Sequence, residues 1–309
     1  MPHRLMTSCL IALSCWCLSP APQALAQAGP DGPAADVYLL AGQSNMAGVG
    51  QSGELSPMWQ APIDGALIYR GGAFETLEAG DKGRFGPEIG FAHYLRHNQP
   101  GKPNVYLVKF ALGGQPLDAG WDGGAADGSS WVSAEPGPNR KTFYPGTSAD
   151  DPNTGLHYKK LLAHAQAAMR QLQADGYTPV LRGIVWMQGE QDAKNEVSAD
   201  RYDKSLALLK QRIEEDLGAK PVPFVFGQVL PHEPAMDRFT HRELIRQRMA
   251  EADHRSGSAR AIENVWMVST DNMDLNKDTV HYSTKGLLEL GQAFGVAMLT
   301  AHRDAASDD

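Results

Sequence analysis

The stretch VYLLAGQSNM at residues 37–46 starts as a continuous apolar run, reaches a glycine and then turns polar. A short apolar run that is bounded by a glycine is typical of a strand buried on both faces of a parallel sheet. Runs of the same character recur later in the chain, at Val105–Phe110, Gly183–Met187, Phe224–Val229 and Val265–Ser269. We therefore predict a central parallel sheet of about five strands.

Segments with helical periodicity separate these apolar runs. Apolar residues recur at three- and four-residue spacing in Pro87–Leu95, Tyr158–Ala174, Tyr202–Leu217, Asp237–Ala252 and Thr284–Ala301. Strands and helices that alternate over nearly the whole length predict an α/β fold, a three-layer α/β/α sandwich with helices on both faces of the sheet. In such a fold we expect the functional groups at the carboxyl ends of the strands.

The composition is that of a globular protein with a surplus of acidic residues. Of the 309 residues, 42% are hydrophobic and 21% are charged, and 36 Asp and Glu against 28 Lys and Arg give a net charge of −8. Neutralising phosphates, or binding to an anionic membrane surface, requires a surplus of positive charge that this chain lacks. Composition therefore argues against nucleic acid or an anionic bilayer as the main partner.

The first 26 residues predict an export signal. Arg4 gives a basic start, Cys9–Leu18 is apolar but short for a membrane span, and Ala24-Leu25-Ala26 has the small residues that signal peptidase reads. A retained membrane anchor is the less favoured alternative because of that length. All three cysteines lie in this segment, so the mature chain would carry no thiol and no disulfide. We predict a signal peptide over 1–26, a spacer over 27–35, and a product in the periplasm or the medium without stable membrane insertion.

The segment Gly113–Gly155 breaks the alternation of strands and helices. It is rich in Gly, Pro, Asp and Ser, and Trp121, Trp131 and Tyr144 are interspersed in it. A loop of this length inside a compact domain is usually functional or disordered, and the aromatic side chains favour function. Two interpretations of these three rings have equal weight: they stack on a sugar face, or they pack the loop against the domain.

Polar residues and glycines follow several of the predicted strands. Ser44, Gln188 and the pair Gly113-Gly114 each come soon after one of them. Near the C-terminus, Asp278 stands three residues before His281. This spacing lets the carboxylate accept a bond from one ring nitrogen and leaves the other nitrogen free to face Ser44.

Each of these residues, taken alone, has an ordinary structural explanation. A serine after a strand often caps a helix, and a pair of glycines often forms a turn. Their coincidence at strand ends that a parallel sheet brings together favours chemistry instead. The set supplies a nucleophile, a base that activates it, an acid that orients the base, and donors for an oxyanion.

Three motifs, in this order, resemble those of a known enzyme superfamily. GQSNM at 42–46, WMQGEQD at 186–192 and DTVH at 278–281 are similar to the motifs of the SGNH hydrolases. Within that superfamily they resemble the branch that contains carbohydrate esterase family six and the sialate O-acetylesterase-like domains. Two further segments, GPE at 86–88 and GLHYK at 155–159, also resemble this branch. The resemblance implies a flavodoxin-like α/β/α domain with esterase activity.

The resemblance also implies a role for each matching residue. Ser44 would be the nucleophile, His281 the general base and acid, and Asp278 the carboxylate that orients the histidine. The donors of the oxyanion hole would be the side chain of Gln188, the amide of Gly114 or Gly113, and the amide of Ser44.

Neighbouring residues are expected to support this site. Gln43 replaces the aspartate that follows the glycine in the wider superfamily, and Glu190 could partly take over from Asp278 in orienting the histidine. Gln191 stands where this branch usually has a small residue, which bears on nearby substrate contacts. The resemblance implies no metal and no organic cofactor.

We therefore expect an esterase domain over 36–302, exported because of the predicted signal peptide and followed by a polar tail over 303–309; the resemblance implies that it hydrolyses acetyl esters on carbohydrate. An acetylated plant polysaccharide such as acetylxylan is the first substrate expected, and an O-acetylated sialic acid is the alternative. A lipase-like or thioesterase activity is less favoured because the segment Gly113–Gly155 is polar and aromatic. A carbohydrate-binding protein without catalysis is the alternative from another class, and turnover of p-nitrophenyl acetate would separate it from an esterase.

Overall fold

A central sheet organises the part of the chain that the computed structural model describes, residues 32–80, 83–99, 101, 103–123, 129–233 and 237–307. The strands are β1 (Ala34–Gly42), β2 (Gly50–Gln51), β3 (Ala66–Arg70), β4 (Ala73–Thr76), β5 (Arg84–Phe85), β6 (Val105–Ala111), β7 (Trp121–Gly123), β8 (Ser129–Trp131), β9 (Thr178–Met187), β10 (Phe224–Gly227) and β11 (Val265–Val268). Seven of them form the main sheet in the order β11-β10-β9-β1-β6-β3-β4. All neighbours in it are parallel except the edge pair β3–β4, and β2–β5 and β7–β8 form two small separate ribbons.

The predicted α/β/α architecture is confirmed, with seven strands in the sheet in place of about five. The five predicted apolar runs are β1, β6, β9, β10 and β11, and in each of them most side chains are buried. The two further strands, β3 and β4, lie at one edge and are joined through Gly71-Gly72. Most side chains of β4 are exposed, so this strand lacks the continuous apolar run on which the prediction depended.

Helices cover both faces of the sheet. They are α1 (Ser44–Ala47), α2 (Pro57–Gln60), α3 (Glu88–Asn98), α4 (Leu156–Ala174), α5 (Glu196–Asp200), α6 (Tyr202–Leu217), α7 (Arg242–Ala252) and α8 (Thr284–Ser307). On one face α3 packs against α8, and on the other α4 packs over β1, β6 and β9 and contacts α6. Within the described ranges, no helix is both long enough and apolar enough to cross a membrane.

Among the predicted boundaries that differ from the structure, three have a visible physical cause. Strand β1 begins at Ala34, inside the predicted spacer over 27–35, because Ala34 and Ala35 already pair with β9. Helix α7 begins at Arg242 rather than Asp237, since the amide of His241 donates to Ala193 O, 2.9 Å away, in another segment. Helix α8 continues to Ser307, through most of the predicted tail over 303–309, because no glycine or proline stops it. The predicted signal peptide lies outside the described residues.

Candidate active site

The first strand ends in a sharp turn that presents Ser44 at the carboxyl edge of the sheet. Gly42 has a φ of 146°, and a Cβ on it would lie 2.0 Å from Met187 O of the neighbouring strand β9. Only glycine fits this crossing. The turn is held by the amide of Gln43, which donates to Met187 O at 2.8 Å. Helix α1 begins at once with Ser44, whose side chain is half-buried.

A tight turn between β11 and α8 presents the histidine. Asp278 Oδ1 accepts hydrogen bonds from the amides of Val280 and His281, each at 2.9 Å. Thr279, between them, has a left-handed φ of 57° that this turn requires. The other carboxylate oxygen, Asp278 Oδ2, lies 2.7 Å from His281 Nδ1. One aspartate therefore fixes both the backbone and the ring of the histidine.

The ring of His281 connects this aspartate to the serine. His281 Nε2 lies 3.0 Å from Ser44 Oγ, although the two residues are 237 positions apart in the sequence. Because an ionised carboxylate only accepts, Nδ1 carries the ring proton and the Ser44 hydroxyl donates to Nε2. Burial opposes ionisation of Asp278, but the bonds from the His281 amide, the His281 ring and the Val280 amide outweigh it and lower the pKa of this carboxyl.

Asn45 joins the serine turn to the histidine turn, a role that the motifs did not predict. Its Nδ2 donates to Glu190 Oε1 at 2.7 Å and to Val280 O at 3.0 Å. Its Oδ1 accepts from the amide of Tyr282 at 3.2 Å. The side chain is buried and thus brackets His281 through the residues on either side of it. The only signal in the sequence was its place beside Ser44 in the GQSNM motif.

Glu190 supports the site through Asn45 rather than through the ring of His281. While Asp278 is present, Nδ1 of the ring faces its carboxylate, and Glu190 bonds to Asn45 instead; that Glu190 could take over in Asp278→Asn stays a prediction. Glu190 is buried, and its Oε2 has no hydrogen-bond partner among the described residues. Burial raises the pKa of this carboxyl, against the lowering effect of its own amide, of Asn45 and of His281.

Gln43 and Lys109 hold helix α1 through hydrogen bonds to its backbone. The carbonyl of Gln43 accepts from the amides of Met46 and Ala47, while its buried Oε1 has no partner in the described part of the chain. Lys109, on β6, donates to Ala47 O at 2.9 Å and forms a 2.6 Å ion pair with the buried Glu88. The GPE segment at 86–88 therefore has a structural role: through Lys109, its Glu88 supports the turn that presents Ser44.

The side chain of Gln188 is not available as an oxyanion donor, so this prediction is wrong. Its Nε2 donates to Gln115 O at 3.1 Å and to Asp192 Oδ2 at 2.6 Å, which uses both amide hydrogens. Its Oε1 accepts from the hydroxyl of Tyr202 at 3.1 Å, and the residue is fully buried. The motif spacing placed Gln188 at the right strand end, but its direction is set by partners elsewhere in the chain.

The backbone amides predicted for the oxyanion hole lie beside the serine. A Cβ on Gly113 would be 3.8 Å from the Cβ of Ser44, and Gly114 follows with a left-handed φ of 67°. Among the described residues, no acceptor is hydrogen-bonded to the amide of Ser44, Gly113 or Gly114. These three N–H groups are therefore the donors that an oxyanion on a Ser44 adduct could use.

Asp192 ties the loop of these glycines to the end of β9. Its carboxylate is fully buried and accepts from the amides of Leu117 and Asp118, at 2.9 and 3.0 Å, as well as from Gln188. Burial, and next the carboxylate of Asp118, raise the pKa of Asp192 to about 7. Asp118 is itself paired with Arg201. Gln188, the expected donor, thus helps to hold the loop that contains Gly113 and Gly114.

The three aromatic residues of the long loop differ in exposure. Trp121 is only 4% exposed, its Nε1 donates to Ser198 Oγ at 3.1 Å, and its ring meets that of Trp131 edge to face at 5.5 Å. Tyr144 is 8% exposed, whereas Trp131 is half-buried. The packing interpretation therefore describes Trp121 and Tyr144, and of the three rings only Trp131 keeps a substantial exposed part.

Comparison with known proteins agrees with this fold. The model of the family described as "Carbohydrate esterase, sialic acid-specific acetylesterase" matches residues 34–300. No curated protein matches the chain. Among solved structures, a protein from Arabidopsis thaliana has a TM-score of 0.61 at 18% identity, covering 87% of this chain and 99% of its own. NanS has a TM-score of 0.60 at 16% identity, with coverages of 88% and 99%. A carbohydrate acetylesterase from Xanthomonas citri has a TM-score of 0.54 at 19% identity, with coverages of 87% and 57%. At these identities the structures show a shared fold.

Proposed function

Because the chain belongs to the carbohydrate esterase, sialic acid-specific acetylesterase family, we propose that it hydrolyses O-acetyl esters of carbohydrate through Ser44, His281 and Asp278. The observation that carries this proposal is the unbroken contact of 3.0 Å from Ser44 Oγ to His281 Nε2 and of 2.7 Å from His281 Nδ1 to Asp278 Oδ2. An alcohol becomes an effective nucleophile only when a base is placed to take its proton.

In the first half of the proposed reaction, Ser44 Oγ attacks the carbonyl carbon of the acetyl group while its proton passes to His281 Nε2. The carbonyl oxygen becomes an oxyanion, and the amides of Ser44, Gly113 and Gly114 are the candidate donors to it. The bond from the acetyl carbon to the sugar oxygen then breaks. His281 gives its proton to that oxygen, which leaves as a free hydroxyl, and Ser44 carries the acetyl group.

In the second half, water attacks the acetyl-Ser44 carbonyl and His281 takes a proton from the water. A second oxyanion forms on the same donors, the bond to Ser44 Oγ breaks, and acetate leaves as the serine regains its proton. Asp278 keeps its negative charge throughout and stabilises the imidazolium that forms twice. The bonds that lower the pKa of Asp278 favour this charged state.

For the substrate, we propose an acetylated polysaccharide of the acetylxylan type first and an O-acetylated sialic acid second. The open setting of the site supports a polymer: Asp278 is 39% and His281 28% exposed in their side chains, and Gly113 is exposed beside Ser44. The description of the family supports the sialic acid. We further propose that the chain is exported after removal of residues 1–26, which N-terminal sequencing of the mature protein would test by finding Gln27 first.

The decisive experiment measures acetate release from acetylated xylan, O-acetylated sialic acid and acetylated simple sugars. We expect turnover with the wild type and losses of at least about 1000-fold in Ser44→Ala and His281→Ala, with unchanged far-UV circular dichroism. Full activity of purified Ser44→Ala would refute the mechanism. The substrate with the highest kcat/KM decides between the two classes, and acetate release from neither would refute the proposed substrates.

A further inference from the structure

A chain of hydrogen bonds reaches the glycine loop from helix α4, and none of the roles above uses it. Gln115 Nε2 donates to Gly113 O at 2.9 Å. Gln115 Oε1 lies 2.8 Å from Nε2 of His157. His157 is buried in the first turn of α4 and is the histidine of the GLHYK segment at 155–159. This series of hydrogen bonds therefore ends on the peptide group between Gly113 and Gly114.

Only one assignment of donors satisfies this chain. Gly113 O can only accept, so the amide nitrogen of Gln115 must face it and Gln115 Oε1 must face the histidine. His157 therefore donates through Nε2–H, and its Nδ1 is bare, with no partner among the described residues. Burial, followed by the neighbouring Lys160 and Lys141, lowers the pKa of His157 to about 4, so the ring is uncharged at neutral pH.

Gln115 is fixed at both its side chain and its main chain. Gly123 leaves room for the side chain, because a Cβ on Gly123 would lie 2.2 Å from Gln115 Oε1. The main-chain carbonyl of Gln115 accepts from Gln188, which Asp192 holds in turn. A side chain with its backbone and both polar atoms bonded keeps one orientation, and it imposes that orientation on Gly113 O.

The direction of Gly113 O determines that of the next amide. In a trans peptide the C=O and the N–H point to opposite sides, and the described residues contain no cis peptide. The bond from Gln115 thus turns the N–H of Gly114 away from the Gln115 side chain. Because Gly113 lies against Ser44, a reversal of this peptide would place a carbonyl oxygen where the oxyanion needs a donor.

We propose that His157, acting through Gln115, is a positioning residue that holds the Gly114 N–H in the orientation that stabilises the oxyanion. The inference rests on the proposed function, since it concerns the same reaction. It goes beyond that function by assigning a role to a histidine on a helix that supplies none of the reacting groups. His157 touches neither Ser44 nor His281 in the bonds observed.

The test compares His157→Leu with His157→Gln, measured with p-nitrophenyl acetate. His157→Leu removes the donor, whereas glutamine can present an amide N–H near the position of Nε2. We expect kcat of His157→Leu to fall roughly 10- to 100-fold, less than the roughly 100- to 1000-fold that follows loss of an oxyanion donor. KM should stay within about twofold, and His157→Gln should return kcat to within about threefold of wild type.

His164→Leu is the matched control. His164 lies two turns further along α4, is half-buried, and has an Nε2 without a partner among the described residues, like the bare nitrogen of His157. It packs on the rings of Tyr69 and Phe110 rather than on the glycine loop. Its kcat should equal that of wild type, so a loss confined to His157→Leu cannot come from the removal of a buried histidine as such.

Inhibition by phenylboronic acid separates positioning from simple loss of folded enzyme. The boronic acid bonds to Ser44 Oγ and forms a tetrahedral adduct with an oxygen in the oxyanion position. If His157 positions the donor, Ki for His157→Leu should rise by about the same factor by which kcat/KM falls. An unchanged Ki with a lower kcat would mean fewer active molecules and would overturn the inference, as would wild-type kcat. Failure of the proposed function is distinguishable, because it would show as activity in Ser44→Ala.

Discussion

Removal of the Asn45 side chain should uncouple the serine turn from the histidine turn. In Asn45→Ala three groups lose the partner that the asparagine supplies: Glu190 Oε1, Val280 O and the amide of Tyr282. All three residues are less than 5% exposed. An unsatisfied buried polar group costs about 1–3 kcal/mol. Water that enters the space of the lost side chain satisfies part of this, so we expect a destabilisation of about 3 kcal/mol.

The same substitution should slow the reaction in the molecules that remain folded. A typical domain is stable by about 5–15 kcal/mol, so the variant still folds. Without Asn45, nothing among the observed bonds ties the backbone on both sides of His281 to the Ser44 turn. A misplacement of about 1 Å between reacting groups costs about 100-fold in rate. We therefore expect kcat to fall between about 10- and 100-fold, with little change in KM.

Urea unfolding and steady-state kinetics of Asn45→Ala are best compared with Asn276→Ala. Asn276 lies in the same segment as His281, but its side chain makes a single bond, at 3.2 Å to Tyr282 O. Its loss should cost about 1 kcal/mol and leave kcat nearly unchanged. If the two variants were equally stable and equally active, the bonds of Asn45 on either side of His281 could not be what maintains the geometry of the site.

Two further predictions concern the glycine loop and its aromatic residues. Burial and the carboxylate of Asp118 raise the pKa of Asp192 to about 7. Between about pH 4 and 7 the folded protein therefore holds a proton on Asp192 that the unfolded chain has lost. The contribution of this group to stability is complete below about pH 4 and is lost as the pH rises towards 7. Asp192→Asn removes this dependence. As the pH rises from about 4 to 7, the free energy of unfolding of the variant, measured in urea, should therefore rise relative to that of wild type by up to about 1.4 kcal/mol per pH unit. A difference that does not change with pH would contradict the assignment. Trp121→Phe removes the bond to Ser198 and should lower the free energy of unfolding by about 1 kcal/mol without changing KM for acetylated oligosaccharide, whereas a several-fold rise in KM would restore the sugar-stacking interpretation of this ring.

The sheet was predictable because its central strands are continuous apolar runs. A strand that is covered by helices on both faces must be apolar throughout, and this pattern is visible in the sequence. The edge strand β4 was not predicted because residues 73–76 are mostly exposed and therefore mixed in character. Its neighbour β3 was missed although residues 66–69 are all apolar. The end of α8 was not predicted because residues 302–307 are mostly polar, which is typical of a tail. They nevertheless include good helix-forming residues.

The groups that we propose to react were easier to predict than the residues that orient them. Ser44 and the pair Asp278 and His281 follow from motifs whose chemistry is local to a few residues. Asn45 bonds to residues 145 and 235 positions away, and no local pattern identifies such partners. Gln188 was assigned the wrong role for the same reason, because an amide at a strand end can face the crevice or the interior. Its direction depends on a carboxylate, Asp192, whose burial only the folded chain determines.

The directions of β1 and α8 determine where the enzyme can be attached to a resin, a fusion partner or a surface. Strand β1 runs for nine residues, about 30 Å, towards Ser44, and α8 starts three residues after His281 and runs for 24 residues, about 36 Å, away from it. The two elements meet again beside the middle of β1, where the rings of Tyr38 and His302 are 6.5 Å apart, and both then continue away from Ser44. A resin, fusion partner or surface joined before Ala34 or after Ser307 would therefore sit on the rear of the molecule and leave the crevice facing the liquid. An immobilised form should therefore turn over its substrate as readily as the free enzyme does.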